Sequence, residues 1–554
     1  MTDFVELAKV LDSIADTTKR TLKIRIAGEF LRGVDPDEIG QTALFLSGRI
    51  FAERDQRVLN LSWRGLLNAI GSLMDLKDDS VSSVYEGDVG EAIATLVEEY
   101  GKTRQTTLFS EPLTIGSVWK TALKIADTKG KGSVKEREAL IASLFVEASP
   151  REARYLAALF LADMRTGLSE GLLVESIAFA YEISPTIVRR AWSFIGDLGE
   201  VARLAYDGEA LDKINVKVMR AVKPMLASPS DDVGSLLDST TGFSFEMKLD
   251  GARVQIHKEE DRVKIFSRRL IDVTESLPDI VEIVQNTISA RRIILDGEVL
   301  AVDESGKPYP FQVVMTRFGR TRDIDVAHQD TRLKLVLFDI LLLDDDHLVD
   351  SPYSERRLSL ENSVSSEFVI ERLVSDDVEE VNDYFRKSRE SGHEGLVAKS
   401  MQSPYEPGVR GKHWFKIKHT LETMDLMIIA AEWGHGRRNK WLSDYHLAVR
   451  DEATDQFVMI GKTYKGLTDA EFEQITQDLK KLEISQRRGV VQVRPEIVVE
   501  VLAAEIQESP TYSSGYALRF ARIINIREDK GPEDVMTLEE LEKVFNDQFR
   551  YKAR

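Results

Sequence analysis

The sequence predicts a chain of three domains: an all-α front part, an α+β middle, and a small β-barrel followed by a helix. Three observations carry this. The chain has 554 residues, room for about three or four domains at roughly 150 residues each. Apolar residues recur at helical spacing up to about residue 218. Beyond that point short alternating runs dominate, first with helices between them and then almost without.

The first domain, 1–218, shows its period in Leu156, Leu159 and Phe160, and again in Leu172, Leu173 and Ile177. Ser149-Pro150 and Ser184-Pro185 punctuate it as helix starts do. No fixed-period repeat is present, which argues against a solenoid. The pattern changes at Val222-Lys-Pro-Met-Leu226. In the second domain, 219–420, Phe243, Phe245 and Met247 share one face of a strand. Val254 and Ile256, then Val263 and Ile265, flank a polar turn at 259–261 as a hairpin would. Further strands are expected at 293–295, 335–338, 395–398 and 414–417, with helices at 275–289 and 376–390. In the third domain, 421–554, strands at 424–431, 445–449, 457–460 and 497–501 surround a helix at 468–483. Five or so strands with one helix fit a barrel of the oligonucleotide-binding type. Leu538, Leu541, Phe545 and Phe549 make the last helix amphipathic.

Hydrophobic residues make up 43% of the chain, so disorder is not the default. The absence of cysteine excludes disulfides, thiolate zinc sites and a cysteine nucleophile. The N-terminus lacks the basic start and apolar centre of a signal peptide. No apolar run approaches the ~18 residues of a membrane span. The expectation is a soluble, cytoplasmic protein with no membrane partner. A net charge of -19 argues against nucleic acid as a partner when taken alone. Binding depends on the local face, however, and residues 405–450 hold 8 Lys and Arg against 5 Asp and Glu.

The chemistry begins at Glu246-Met-Lys-Leu-Asp-Gly-Ala-Arg253. A lysine ending a strand before an Asp-Gly turn is a nucleophile if its amine loses its proton, which neighbouring cations and partial burial favour. Its plainer alternative is a surface lysine before a turn. Next come Phe266-Ser-Arg-Arg269, Leu295-Asp-Gly-Glu298, Phe338-Asp339, Glu394-Gly-Leu-Val-Ala-Lys399 and Trp414-Phe-Lys-Ile-Lys418. Each also has a plainer reading: Glu298 and Glu394 as turn acids, Phe338 as core, Lys416 and Lys418 as a solvated edge.

Order and spacing together resemble the covalent nucleotidyltransferases, the superfamily of DNA ligases, RNA ligases and capping enzymes. The resemblance spans 219–530 and includes a last motif, Arg519-Phe-Ala-Arg522 with Asp529-Lys530. Ser149-Pro-Arg-Glu-Ala-Arg-Tyr-Leu156 and Met164-Arg-Thr-Gly167 resemble the DNA-binding domain of ATP-dependent DNA ligases, which capping enzymes and most RNA ligases lack. Trp433-Gly-His-Gly-Arg-Arg438 and Trp441-Leu-Ser-Asp-Tyr445 are similar to the barrel of archaeal and some bacterial members. The lack of cysteine separates the chain from NAD-dependent ligases, which carry a four-cysteine zinc site.

The resemblance implies roles. Lys248 attacks the α-phosphate of ATP and carries AMP. Glu246 meets the adenine edge and Phe338 stacks on the base. Arg253 and Arg268 hold ribose and phosphate, and Glu298 holds ribose or metal. Arg410, Lys416 and Lys418 neutralise phosphate charge. Glu298 and Glu394 are the expected ligands of Mg2+, and Arg519, Arg522 and Lys530 reach pyrophosphate only if the barrel swings over the site. The expected substrate is nicked duplex DNA, held by a monomer through backbone phosphates, with Arg165 and Gly167 at the DNA. Gln105-Thr-Thr-Leu-Phe109 resembles a sliding-clamp box, with Gln105, Leu108 and Phe109 as its anchors; the alternative is a polar loop with two buried apolar residues. Rival readings are an RNA ligase, separated by nicked RNA against nicked DNA, and a non-catalytic scaffold, which would take up no AMP from ATP.

Overall fold

The structure is a computed structural model that describes residues 1–71, 88–100, 112–230, 232–239, 242–318, 332–418, 423–434, 438–487 and 489–548. The segment 105–109 lies outside the described residues, as do Phe549 and 435–437.

The described residues up to 206 fold mainly as packed helices. Two helix starts, at Pro150 and Pro185, are those the sequence marks. Ser149 accepts the Glu152 backbone N–H, and the Glu152 carboxylate accepts the Ser149 N–H at 2.9 Å, closing a reciprocal cap ahead of Pro150–Phe160. Ser169 caps Glu170–Tyr181, and Pro185 opens Pro185–Ile195. Leu156, Leu159, Phe160, Leu172, Leu173 and Ile177 all enter one continuous helical core.

The middle of the chain builds two five-stranded sheets. One has the order β1 (Leu226–Ser230), β10 (Arg410–Lys418), β9 (Gly395–Ser400), β2 (Phe243–Lys248), β8 (Arg372–Val374). The other runs β4 (Arg262–Ser267), β3 (Ala252–Glu259), β5 (Arg292–Val302), β6 (Arg332–Leu343), β7 (Asp346–His347). All pairings are antiparallel except β1 with β10. The expected hairpin is β3–β4, with Glu260 at positive φ in its turn. Phe243, Phe245 and Met247 are buried, and so are Ser244 and Glu246 between them. The strand therefore has two covered faces rather than a wet one, with β9 and β8 on its flanks.

Two glycines hold the strand ends around Lys248 in close register. Gly395 starts β9 at φ +146, where a Cβ would collide with the Ile417 carbonyl oxygen. A Cβ on Gly251, in the turn after β2, would meet the Val299 carbonyl oxygen at 2.5 Å. Only a glycine lets either segment come so close to the next strand.

The last part is β-rich, with β11 (Met424–Trp433), β12 (Leu442–Asp451) and β13 (Gln456–Thr463) on one side. β14 (Glu483–Arg487), β15 (Val490–Val493), β16 (Val498–Leu502) and β19 (Arg522–Ile526) complete that sheet, and β17 (Glu505–Glu508) pairs with β18 (Tyr516–Arg519). More strands form than the sequence pattern predicts. Every residue of β14 is exposed, so no apolar alternation announces it. The helix Asp469–Lys481 starts with a Thr468–Glu471 capping box, and Leu541 of Leu538–Gln548 joins the barrel core.

Gly395→Ala is expected to destabilise the protein by about 2–4 kcal/mol, from backbone strain plus a steric clash. The urea midpoint reads this; an unchanged midpoint would show that β9 does not need the close approach to Ile417.

Candidate active site

The register of three neighbouring strands creates the site. Lys248, at the end of β2, pairs with Gly395, and Lys418, at the end of β10, pairs with the same glycine from the other side. Glu394 directly precedes it, so its carboxylate falls between two ammonium groups. Lys248 Nζ lies 2.8 Å from Glu394 Oε2, and Lys418 Nζ pairs with the same oxygen. The Glu394 backbone N–H donates to the Lys248 carbonyl at 2.9 Å, tying the two strand ends together. Burial works against the Glu394 charge, but Lys248 and Lys418 outweigh it and hold the carboxyl below the usual carboxylate range. The Lys418 amine is pushed down by burial and by Lys248, against the pull of Glu394.

Glu298 comes from the second sheet, opposite Arg253 in the β3–β5 register. It accepts the Gly251 N–H at 3.0 Å. Burial pushes its carboxyl up to about 7; Lys248, the Gly251 N–H and Arg253 oppose the rise, and Glu394 adds to it. A carboxyl this short of compensating charge suits a bound cation. Glu394 fits less well as a metal ligand, because its carboxylate is already committed to two lysines. Among the described residues no group of three or more His, Asp or Glu side chains stands ready as a metal cage.

Arg268, Arg410 and Lys416 are further cations of this region. Arg268 is pushed down by burial and by Arg253 and Arg410; Lys416 is pushed down by burial and then by Lys418, Arg410, Lys248 and Arg268. These groups repel one another, so an anion between them is stabilised.

Beneath the cations lies a polar layer that includes two of the expected nucleotide contacts. Glu246 is 2% exposed. It receives the Tyr353 hydroxyl, lies 2.6 Å from Lys399 Nζ and stands 3.5 Å from Arg357. Lys399 also donates to the Phe338 carbonyl at 3.0 Å and sits 4.5 Å from the ring centroids of both Phe338 and Trp414. Phe338 is thus buried against a cation and Trp414 in this state. Arg253 is held bidentately by Asp296 at 3.0 and 2.6 Å and donates to the Met225 carbonyl at 2.7 Å. Burial opposes its charge, but Asp296 and Tyr405 outweigh it and hold the guanidinium above its usual range. Lys399, Trp414, Tyr353 and Asp296 are not among the site residues expected from the sequence. Lys399, Trp414 and Asp296 lie inside the quoted motifs, which is the available signal, whereas Tyr353 carries none.

The other expected residues lie apart from this cluster. Arg519 stands 3.5 Å from Glu505 and 5.7 Å from the centroid of Phe311, a residue of the middle domain. Lys530 pairs with Asp425 at 2.5 Å, and Arg522 is exposed on β19. Arg165, at φ +48, is bound by Asp163 at 2.9 Å. Gly167 has φ +69, and a Cβ there would meet Lys23 Nζ at 2.8 Å. Its positive φ therefore favours glycine independently of any DNA. Gln105, Leu108 and Phe109 lie outside the described residues.

The raised carboxyl of Glu298 sets a pH dependence. Between about 4.5 and about 7 the folded protein keeps a proton that the unfolded chain has released, so the site costs stability as pH rises through that window. Glu298→Gln removes the cost while keeping an acceptor for the Gly251 N–H. Without ATP or metal, the variant should match the wild type near pH 4.5 and exceed it by roughly 2–4 kcal/mol at pH 8. Parallel urea midpoints across pH 4.5–8 would contradict this.

Known proteins place the chain. Residues 3–178 match the family described as "DNA ligase N terminus", 224–418 the "ATP dependent DNA ligase domain" and 438–530 the "ATP dependent DNA ligase C terminal region". "DNA ligase 1" of Korarchaeum cryptofilum is 43% identical over 546 residues, covering 98% of each chain. "DNA ligase" of Thermococcus fumicolans is 40% identical over 560 residues, covering 100% of each. The solved structure "Pmar-Lig_PreS3" shares the fold at a TM-score of 0.58 and 16% identity, over 94% of this chain and 99% of that one. With its helical front part, two-sheet middle and β-rich end, the chain belongs to the family of ATP-dependent DNA ligases.

Proposed function

We propose that this ligase seals nicks in duplex DNA by carrying AMP on Lys248. The observation that carries the reading is the half-buried Lys248 at a strand end, inside a cluster where Arg268, Arg410 and Lys416 repel one another. A triphosphate suits such a cluster. Lys248 Nζ, once its ammonium has released a proton to solvent, attacks the α-phosphorus, an N–P bond forms, and the bond to pyrophosphate breaks. The 5′-phosphate of the nick then takes the AMP from the lysine. Finally the 3′ hydroxyl attacks that phosphate and AMP leaves. The cations act as fixed positive charge where negative charge collects.

Phe338 and Glu246 would receive the base, and Arg253 the ribose or α-phosphate. Glu298 would hold Mg2+, with Glu394 joining it only once Lys248 and Lys418 release its carboxylate; the ion would supply charge neutralisation at the phosphates. Arg519, Arg522 and Lys530 would orient pyrophosphate after the barrel swings over the site, then leave with it so that DNA can bind. Arg519 and Lys530 are paired with acids of their own domain in this structure, which pyrophosphate would displace. Arg165 and Gly167 belong to the proposed DNA face, and 105–109 to a proposed contact with a sliding clamp. The enzyme would act as a monomer. Among the described residues no helix is long and apolar enough to cross a membrane.

The chemical steps separate in one variant. Lys248→Ala should take up no AMP from labelled ATP and seal no ordinary nick, yet seal a nick that already carries AMP at a measurable rate. Covalent AMP on the variant would assign the nucleophile to another residue. Failure on the pre-adenylated nick by a folded, DNA-binding variant would give Lys248 a part in the last step as well.

A further inference from the structure

We infer that Tyr405 is a positioning residue for the nucleotide: its hydroxyl fixes the Asp296–Arg253 pair, and so sets where the guanidinium meets ATP. The inference rests on the proposed role of Arg253 as a nucleotide contact.

Tyr405 is 1% exposed and lies on the segment leading into β10, while Asp296, also 1% exposed, lies on β5 of the other sheet. The Tyr405 hydroxyl donates to Asp296 Oδ2 at 2.6 Å. It accepts from the Met225 backbone N–H at 3.1 Å and from Arg253 Nη2 at 3.3 Å. A phenol has one donor and two acceptor sites, and all three are used, so it has one orientation here. Asp296 Oδ2 in turn receives both Tyr405 and Arg253 Nη2, the latter at 2.6 Å. Arg253 Nη1 reaches the Met225 carbonyl, so Met225 is gripped at both backbone groups, by Tyr405 at N–H and by Arg253 at C=O.

This knot lies under the proposed base platform. The Arg253 guanidinium is 5.4 Å from the Phe338 centroid and 5.8 Å from that of Trp414, and the Tyr405 ring packs edge-on against Trp414 at 5.8 Å. The polar contacts join both sheets and β1, which starts just after Met225. Removing the hydroxyl leaves the ring packing in place. It takes one anchor from Asp296, strips the Met225 N–H of its partner and lets the guanidinium settle elsewhere. Lys248, Glu394 and Lys418 make no hydrogen bond to any of these groups among the described residues, so the effect should fall on nucleotide binding and not on the bond-making lysine.

The test is a double-mutant cycle on self-adenylation of the full chain, measuring label taken up from ATP as a function of its concentration. Tyr405→Phe should raise the half-saturating ATP concentration about five- to tenfold while changing the maximal rate less than twofold. In an Arg253→Ala background the same substitution should add nothing further. If Tyr405→Phe fails to fold, Asp296→Asn takes its place with the same expected shift and the same non-additivity. An unchanged half-saturating concentration, or a full additional shift in the Arg253→Ala background, would overturn the inference, since Tyr405 would then act by general packing. If Arg253→Ala alone leaves the ATP dependence untouched, the reading of Arg253 fails first, and the role of Tyr405 falls with it.

Discussion

The site depends on one close approach, that of Gly395 to the backbone of β10. It places Glu394 between Lys248 and Lys418 and lets one carboxylate serve two ammonium groups. Burying charge is costly unless it is paired, and here the pairing is incomplete: one acid faces two lysines, while Arg268, Arg410 and Lys416 crowd the same region. The protein holds a local surplus of positive charge that a polyphosphate would neutralise. This is how a chain with net charge -19 presents a site for anions. Global charge governs long-range behaviour, whereas the register of three strands governs the field within a few ångströms of Lys248.

Much of this is legible in the sequence because the signals are local. Lys248 before Asp250-Gly251, the β3–β4 hairpin and the paired lysines on β10 come from period-two alternation and turn chemistry. Ser149-Pro150 and Ser184-Pro185 mark helix starts because the first turn of a helix is settled within a few residues. The illegible part depends on contacts between distant segments. Glu246 lies in a strand covered on both faces, and its partners Tyr353 and Lys399 are 107 and 153 positions away in the chain. Arg253 reads in sequence as a free ligand group because its counter-ion, Asp296, arrives from another strand. The exposed β14 has no apolar pattern to read. The motif around Gly167 suggests an approach to DNA, while its positive φ already favours glycine.

The third domain illustrates the same economy of charge. Glu505 stands by Arg519, and Asp425 pairs with Lys530. These are part-exposed contacts inside the third domain, weak enough for a phosphate to displace.

The most direct test of the account is to find where AMP resides. The wild-type protein, loaded with ATP and magnesium, would be digested under conditions that preserve phosphoramidates, and the adducted peptide sequenced by mass spectrometry. The account predicts AMP on Lys248, with the bond cleaved by mild acid. AMP on Lys416, Lys418 or Lys399, or no covalent AMP at all, would contradict it.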